Sequence, residues 1–246
     1  MAAGIQIENL SFSYSEEKEV LKNLSLEIRA GEKMGLIGPM GSGKSTLLLH
    51  LNGLLTGSGT VKIGDTGVKK DTLPEIRRKV GMVFQNPDDQ LFNPTVEEEI
   101  AFGPLNFGYS PDEVAEKLKY ALEAMRLTGM EKSVSHHLSM GERKRVALAT
   151  VLALDPEVIA LDEPFANLDT PMMMQLLDII NSLSATFIIV SQSLLPLLSC
   201  CDRVAIINHG RIVAVGPVKD ILQDEELMRN NGLDLGYYKK ILRELF

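Results

Sequence analysis

The stretch Gly38-Pro39-Met40-Gly41-Ser42-Gly43-Lys44-Ser45-Thr46 decides how this chain reads. It follows an apolar run, Met34 to Ile37, of the kind that forms a buried strand. It leads into Leu47, Leu48, Leu49 and Leu51, the apolar side of a helix packed on a sheet. Glycines at 38, 41 and 43 let the backbone turn tightly enough to aim several N–H groups into one concavity. A helix starting near Lys44 adds its positive N-terminal end. Lys44 brings a full positive charge for terminal phosphates, and the Ser45 hydroxyl is placed to ligate Mg²⁺. The alternative is a glycine-rich turn with a chance lysine, and it leaves the preceding strand and following helix unexplained. The stretch implies a site for a nucleoside triphosphate with magnesium.

Bulk properties narrow the setting. A chain of 246 residues, 45% hydrophobic and 24% charged, suits one large soluble domain or one domain with a subdomain. A net charge of −8 argues against a general nucleic-acid binder, because no wide face would neutralise phosphates. The two cysteines, Cys200 and Cys201, are adjacent, which suits neither a metal knuckle nor a disulfide framework; two buried thiols in a reducing cytoplasm are expected. Met1-Ala2-Ala3-Gly4 leads straight into an alternating strand, so no signal peptide is expected. The most apolar stretch, Phe187 to Leu198, is interrupted by Ser191, Gln192, Ser193 and Pro196, so no membrane span is expected.

Periodicity sets the order of elements. A first strand carries Ile5, Ile7, Leu10, Phe12 and Tyr14, followed by a charged turn, Ser15 to Glu19, and a half-exposed strand with Leu24, Leu26 and Ile28. A short strand, Thr60 to Ile63, closes in the turn cluster Gly64-Asp65-Thr66-Gly67, so the N-terminal part reads as strands with one helix. Val80 to Phe84 is a buried strand ending at Gln85, and from Thr95 to about Met130 the pattern is helical. There follow a helix from Met140 to Leu154, strand Val158 to Leu161, helix Pro171 to Leu183, strand Thr186 to Val190, and a strand pair, Val204 to Ile207 and Ile212 to Val215. Short helices end the chain, the last from Tyr237 to Phe246. Alternation of strands and helices after the phosphate loop indicates an α/β fold with a mainly parallel sheet.

Val158-Ile159-Ala160-Leu161-Asp162-Glu163 is an apolar strand ending in two carboxylates. Beside a phosphate loop, Asp162 is the natural second metal ligand and Glu163 the natural base for an attacking water. Standing alone they would read as two solvated carboxylates at a strand end.

These residues resemble the nucleotide-binding subunits of ABC (ATP-binding cassette) transporters over nearly the whole chain. The resemblance gives Tyr14 the part of the aromatic that stacks on adenine, although alone it would pass for a core or strand-edge ring. Gln85 takes that of the glutamine touching Mg²⁺ and the attacking water; alone it is a polar strand cap. Leu138-Ser139-Met140-Gly141-Glu142 stands where the family signature opens a helix, making Ser139, Gly141 and Glu142 nucleotide-contacting positions and Ser139 also a helix cap. Ala166-Asn167-Leu168-Asp169 matches the D-loop, placing Asp169 at the same interface. The resemblance implies a P-loop NTPase of ABC type: a mainly parallel core, an N-terminal antiparallel β subdomain, and an inserted α-helical subdomain. It also implies two subunits closing head to tail, each ATP lying between one phosphate loop and the other subunit's signature. The expected division is a nucleotide-binding core at about 1–94 and 154–217, a helical signature subdomain at about 95–153, and a helical tail at about 218–246.

A finer resemblance rests on Gln85-Asn86-Pro87-Asp88-Asp89-Gln90-Leu91-Phe92, with Pro94-Thr95-Val96, Ala101-Phe102-Gly103-Pro104 and Gly232-Leu233-Asp234-Leu235. These look like the ATPases of energy-coupling factor (ECF) importers, especially the cobalt/nickel type. That implies a peripheral subunit on the cytoplasmic face of the cell membrane, hydrolysing ATP and driving an integral membrane coupling protein through Asp88–Phe92. Two positions depart from the family. Gln192 replaces the switch histidine, and glutamine donates a hydrogen bond but never becomes cationic. Met140 replaces the first signature glycine, where a side chain would either crowd the nucleotide or point away. A rival reading follows from them: an ATP-switched subunit that closes on ATP but hydrolyses it slowly or only with a partner. A third, a soluble ABC ATPase acting on chromosomes or ribosomes, lacks the expected coiled-coil insertion or tandem cassette.

Overall fold

Alternating apolar residues build the N-terminal layer of the structure, a computed structural model that describes residues 2–15 and 18–233. Strands β1 (Ile5–Ser15) and β2 (Lys18–Ile28) pair antiparallel and bury Ile5, Ile7, Leu21, Leu24 and Ile28. β2 starts six residues before Leu24, because Ser13 pairs with Glu19 and Ser15 with Lys18. Of the charges that suggested a turn, Lys18 and Glu19 are exposed strand residues, while Glu16 and Glu17 lie outside the described residues. Past Gly31 the chain enters β3 (Lys33–Ile37), the phosphate loop and α1 (Lys44–Leu51), then β4 (Ser58–Ile63) and β5 (Thr66–Gly67). A second N-terminal helix, α2 (Leu73–Lys79), corrects the expectation of a single helix. Only Ile76 of α2 is buried, so it carries no apolar stripe; Pro74 in its first turn and Arg77, Arg78 and Lys79 in its last are its local signals.

The core continues with β6 (Val80–Val83), a 3-10 turn at Pro87–Asp89, α3 (Val96–Asn106), α4 (Pro111–Ala124) and α5 (Met140–Leu152). All three helices open with a reciprocal capping box, Thr95 with Glu98, Ser110 with Glu113 and Ser139 with Glu142, which satisfies N–H groups that a helix start leaves unpaired. Next come β7 (Val158–Asp162), α6 (Thr170–Ser182), β8 (Thr186–Val190), α7 (Leu194–Cys200), β9 (Arg203–Asn208), β10 (Arg211–Pro217), α8 (Val218–Gln223) and α9 (Glu225–Asn230). α7 occupies the interrupted apolar stretch, with its Pro196 and Leu197 buried, and ends at the buried thiols of Cys200 and Cys201, which share no disulfide and lie in hydrogen-bond contact at 3.8 Å. The expected helix from Tyr237 to Phe246, and Asp234-Leu235 before it, lie outside the described residues.

The antiparallel sheet runs β2-β1-β4-β5, and the larger sheet runs β10-β9-β3-β8-β7-β6, parallel except for the β9–β10 pair. Period-two alternation sends its side chains into two cores. Val158, Ala160, Ile188 and Val190 face α1 and the antiparallel sheet; Ile159, Leu161, Phe187 and Ile189 face α5 and α6. Gly81 of β6 seats α5, because a Cβ there would fall inside van der Waals contact of Val151 Cγ1. The C-terminal ends of β3, β6, β7 and β8 consequently open on one edge. Gly81→Ala should lower stability by about 1–3 kcal/mol through overpacking, read from urea unfolding, and adding Val151→Ala should recover much of the loss. A neutral single substitution would contradict this seating.

Candidate functional site

A cleft of about 460 Å³ lies at that edge, within the size range of small-molecule sites. The phosphate loop forms its floor. Gly43 takes the left-handed conformation (φ 108°) as it caps α1, a geometry that glycine adopts without steric penalty. The Lys44 ammonium folds back onto the loop, donating to the carbonyls of Gly38 at 2.8 Å and Pro39 at 2.9 Å. Burial pulls its pKa down, while Glu163 and Asp162 pull it back up. Tyr14 guards one side. Its ring is 62% exposed, braced edge-on by Phe12 at 4.9 Å, and its hydroxyl lies 3.2 Å from Thr46 Oγ1. Phe12 rests in turn on the buried His50 at 4.8 Å, whose Nδ1 is 2.8 Å from Thr46 O, so His50 is an internal brace for the platform.

Asp162 and Glu163 face Lys44 from the end of β7, both buried. Burial raises the pKa of each; the Ser45 hydrogen bond and Lys44 oppose that rise at Asp162, and the Gln192 N–H opposes it at Glu163. Glu163 holds a left-handed backbone (φ 48°), uncommon outside glycine, with its N–H fixed to Val190 O at 3.0 Å. One carboxylate oxygen accepts the Gln192 N–H at 3.0 Å. The remaining oxygens, Asp162 Oδ1 and Glu163 Oε1, are buried without a hydrogen-bond partner among the described residues. Buried polar atoms of that kind are rare and call for a ligand or water. Hard oxygen donors from Ser45 and Asp162 suit Mg²⁺, so these residues fit the implied metal. Gln85, at the end of β6, and Gln192, after β8, complete the wall.

The cleft thus gathers Tyr14, Met40, Gly41, Gly43, Lys44, Ser45, Thr46, Gln85, Asp162, Glu163 and Gln192. Gly38, Pro39 and Ser42 shape the loop from behind: Gly38 leaves no room for a side chain against Ile207 O, and Ser42 Oγ is buried without a partner. Ser139, Gly141, Glu142 and Asp169 do not reach this cleft.

The protein-family comparison matches the family described as ABC transporter over residues 21–166. The chain belongs to the ABC transporter family. Among its relatives is the energy-coupling factor transporter ATP-binding protein EcfA of Methanothermobacter thermautotrophicus, 42% identical over 98% of this chain and 79% of that one. Solved structures include cbiO1 from Clostridium perfringens, described as part of the ABC transporter complex cbiONQ. It has a TM-score of 0.82 and 31% identity, over 97% of this chain and 98% of that one. Another is a dimeric ATP-binding cassette in a post-hydrolysis state bound to ADP and Pi, with a TM-score of 0.77 and 27% identity over 87% of this chain and 98% of that one. This ABC ATPase is therefore an ATP-binding subunit of the ECF type, with the α/β P-loop fold.

The signature of the ATPase opens with the helix cap expected at Ser139. The Ser139 hydroxyl donates to Glu142 at 2.7 Å, so its proton is already committed inside the capping box. Gly141 lies against Met172 on α6, whose flexible thioether would have to shift to admit a Cβ there. Asp169 caps α6, accepting the Met172 N–H at 2.9 Å.

Sequence reading missed the run Arg143-Lys144-Arg145. Arg143 pairs with Asp88 at 2.6 Å; Lys144 donates to three carbonyls of the Glu163 turn; Arg145 donates to Met125 O and Arg126 O on the α4 side. Three adjacent cations on a helix point about 100° apart and cannot share one solvated face, which was the available signal.

Because the contact between position 192 and Glu163 is made by the main-chain N–H, any residue there except proline can keep it. Gln192→His adds a side chain able to carry charge and should raise kcat by about tenfold or more, in view of what one transition-state donor is worth. Equal steady-state rates would show that glutamine already suffices.

Proposed function

We propose that the chain is the motor subunit of an ECF-type importer, binding ATP with Mg²⁺ in this cleft and hydrolysing it. The observation that carries the reading is the pair of buried, unpartnered carboxylate oxygens facing Lys44. Tyr14 would receive the adenine on its exposed ring. Loop amides and Lys44 would take the phosphates, Lys44 exchanging its two carbonyl partners for them. Ser45 and Asp162 would hold Mg²⁺, with Gln85 nearby, and the ion would neutralise charge developing on the β- and γ-phosphate oxygens. Glu163, held by the Gln192 N–H, would orient the attacking water with its free oxygen and accept its proton.

Ser139, Gly141, Glu142 and Asp169 are proposed to serve the nucleotide of a second subunit in a head-to-tail dimer, which agrees with their distance from the chain's own cleft. Residues 95–153 would move as the signature subdomain against a core of 1–94 and 154–217, with 218–246 as a tail. Among the described residues no helix is long and apolar enough to cross a membrane, so work on a solute requires an integral membrane partner and a peripheral site on the cytoplasmic face. Phe92 and Phe102 support such docking: exposed aromatic rings 4.8 Å apart beside exposed Leu105. Cobalt or nickel is the solute class suggested by the resemblance, with a vitamin as the other. A slowly hydrolysing, ATP-switched subunit is the second reading, favoured by the committed Ser139 proton and by Gln192.

Glu163→Gln should lower kcat by about a hundredfold or more while leaving ATP affinity within about threefold, measured by steady-state turnover and nucleotide titration. Undiminished turnover would refute the part given to Glu163.

A further inference from the structure

Lys144 is a buried cation with no carboxylate in contact among the described residues. Its ammonium donates to Glu163 O at 2.9 Å, Pro164 O at 2.9 Å and Ala166 O at 2.8 Å. Three carbonyl dipoles converging on one point repel each other unless a cation sits among them. An ammonium has three donors, and here all are used. The turn gathered in this way begins at Glu163, whose backbone is left-handed and whose carboxylate has one anchored and one free oxygen. The lysine comes from α5, little more than one helical turn beyond Ser139 at its first end. Its neighbours tie the same helix to the Pro87–Asp89 turn through Asp88 and to the α4 end through Met125 and Arg126.

We propose that Lys144 is a positioning residue for hydrolysis, clamping the main-chain turn that carries Glu163 to the helix that begins with Ser139. The two move as one body. A displacement of the α5 start is transmitted to the angle at which the Glu163 carboxylate meets its water, while the phosphate loop stays where it is. This inference rests on the part given to Glu163 above and adds its control: engagement of Ser139 by the partner subunit's nucleotide sets the geometry of the chain's own base. The two nucleotide sites of a dimer are thereby linked through a single side chain.

The test is a double-substitution cycle on the full chain, with Lys144→Met and Ser139→Ala alone and together, using ATP as the probe. Lys144→Met should lower kcat about tenfold to a hundredfold, the scale of a small misplacement of a reacting group, with the Kd for ATP within about threefold of the parent. Lys144→Arg, which keeps a cation with several donors, should be faster than Lys144→Met. The double variant should be close to the slower single one, because both substitutions cut the same connection. Parental kcat in Lys144→Met, or kcat and ATP affinity falling together, overturns the proposal, the second outcome marking a merely structural lysine. Losses that multiply in the double variant overturn the link to Ser139. If Lys144→Met does not fold, Lys144→Gln, which keeps two N–H donors, takes its place in the cycle. Glu163→Gln run alongside separates the readings: if it turns over like the parent, the fault lies with the part given to Glu163, whatever the cycle shows.

Discussion

The buried charges at one sheet edge constrain everything around them. Lys44, Asp162 and Glu163 lie out of water at the C-terminal ends of β3 and β7 with their hydrogen bonding incomplete. Charged groups in such a place are tolerated only when each is held by a partner or awaits one. The loop carbonyls hold Lys44, the Ser45 hydroxyl holds Asp162, and the Gln192 N–H holds Glu163. Two oxygens are left over. The fold preserves this tension with a rigid parallel sheet whose side chains fill two cores, so the strand ends cannot relax toward each other.

A second constraint is how the helical part is fastened to that edge. α5 packs on Gly81 through Val151 and sends three successive basic side chains in three directions. Gln90 adds a contact from the other side, donating to Ala147 O at 2.8 Å. The segment after β6 and the turn after β7 therefore both hang on one helix. Any force on that helix reaches both walls of the cleft, a mechanical basis for coupling a distant partner to chemistry at Glu163.

Much of the site was legible in sequence because its pieces are local: a loop of glycines between a strand and a helix, and two carboxylates closing an apolar strand. The α/β fold followed from those pieces and the strand–helix alternation after them, whereas the ECF family came from a resemblance carried by Gln85–Phe92 and the stretches around it. The short helices α2 and α7 were not legible, since one buries a single residue and the other is too short to show a period. The part of Lys144 was hidden for a different reason. Its three acceptors are main-chain carbonyls around twenty residues away, and carbonyls carry no sequence signature.

The central claim is that this cleft is half of a site, completed by Mg–ATP and by the signature end of a second copy. Sedimentation velocity of Glu163→Gln with saturating ATP tests it most directly, run with and without Mg²⁺. The account predicts a monomer without nucleotide or metal and a dimer carrying two ATP molecules when both are present. A protein that remains monomeric with Mg–ATP bound would contradict it.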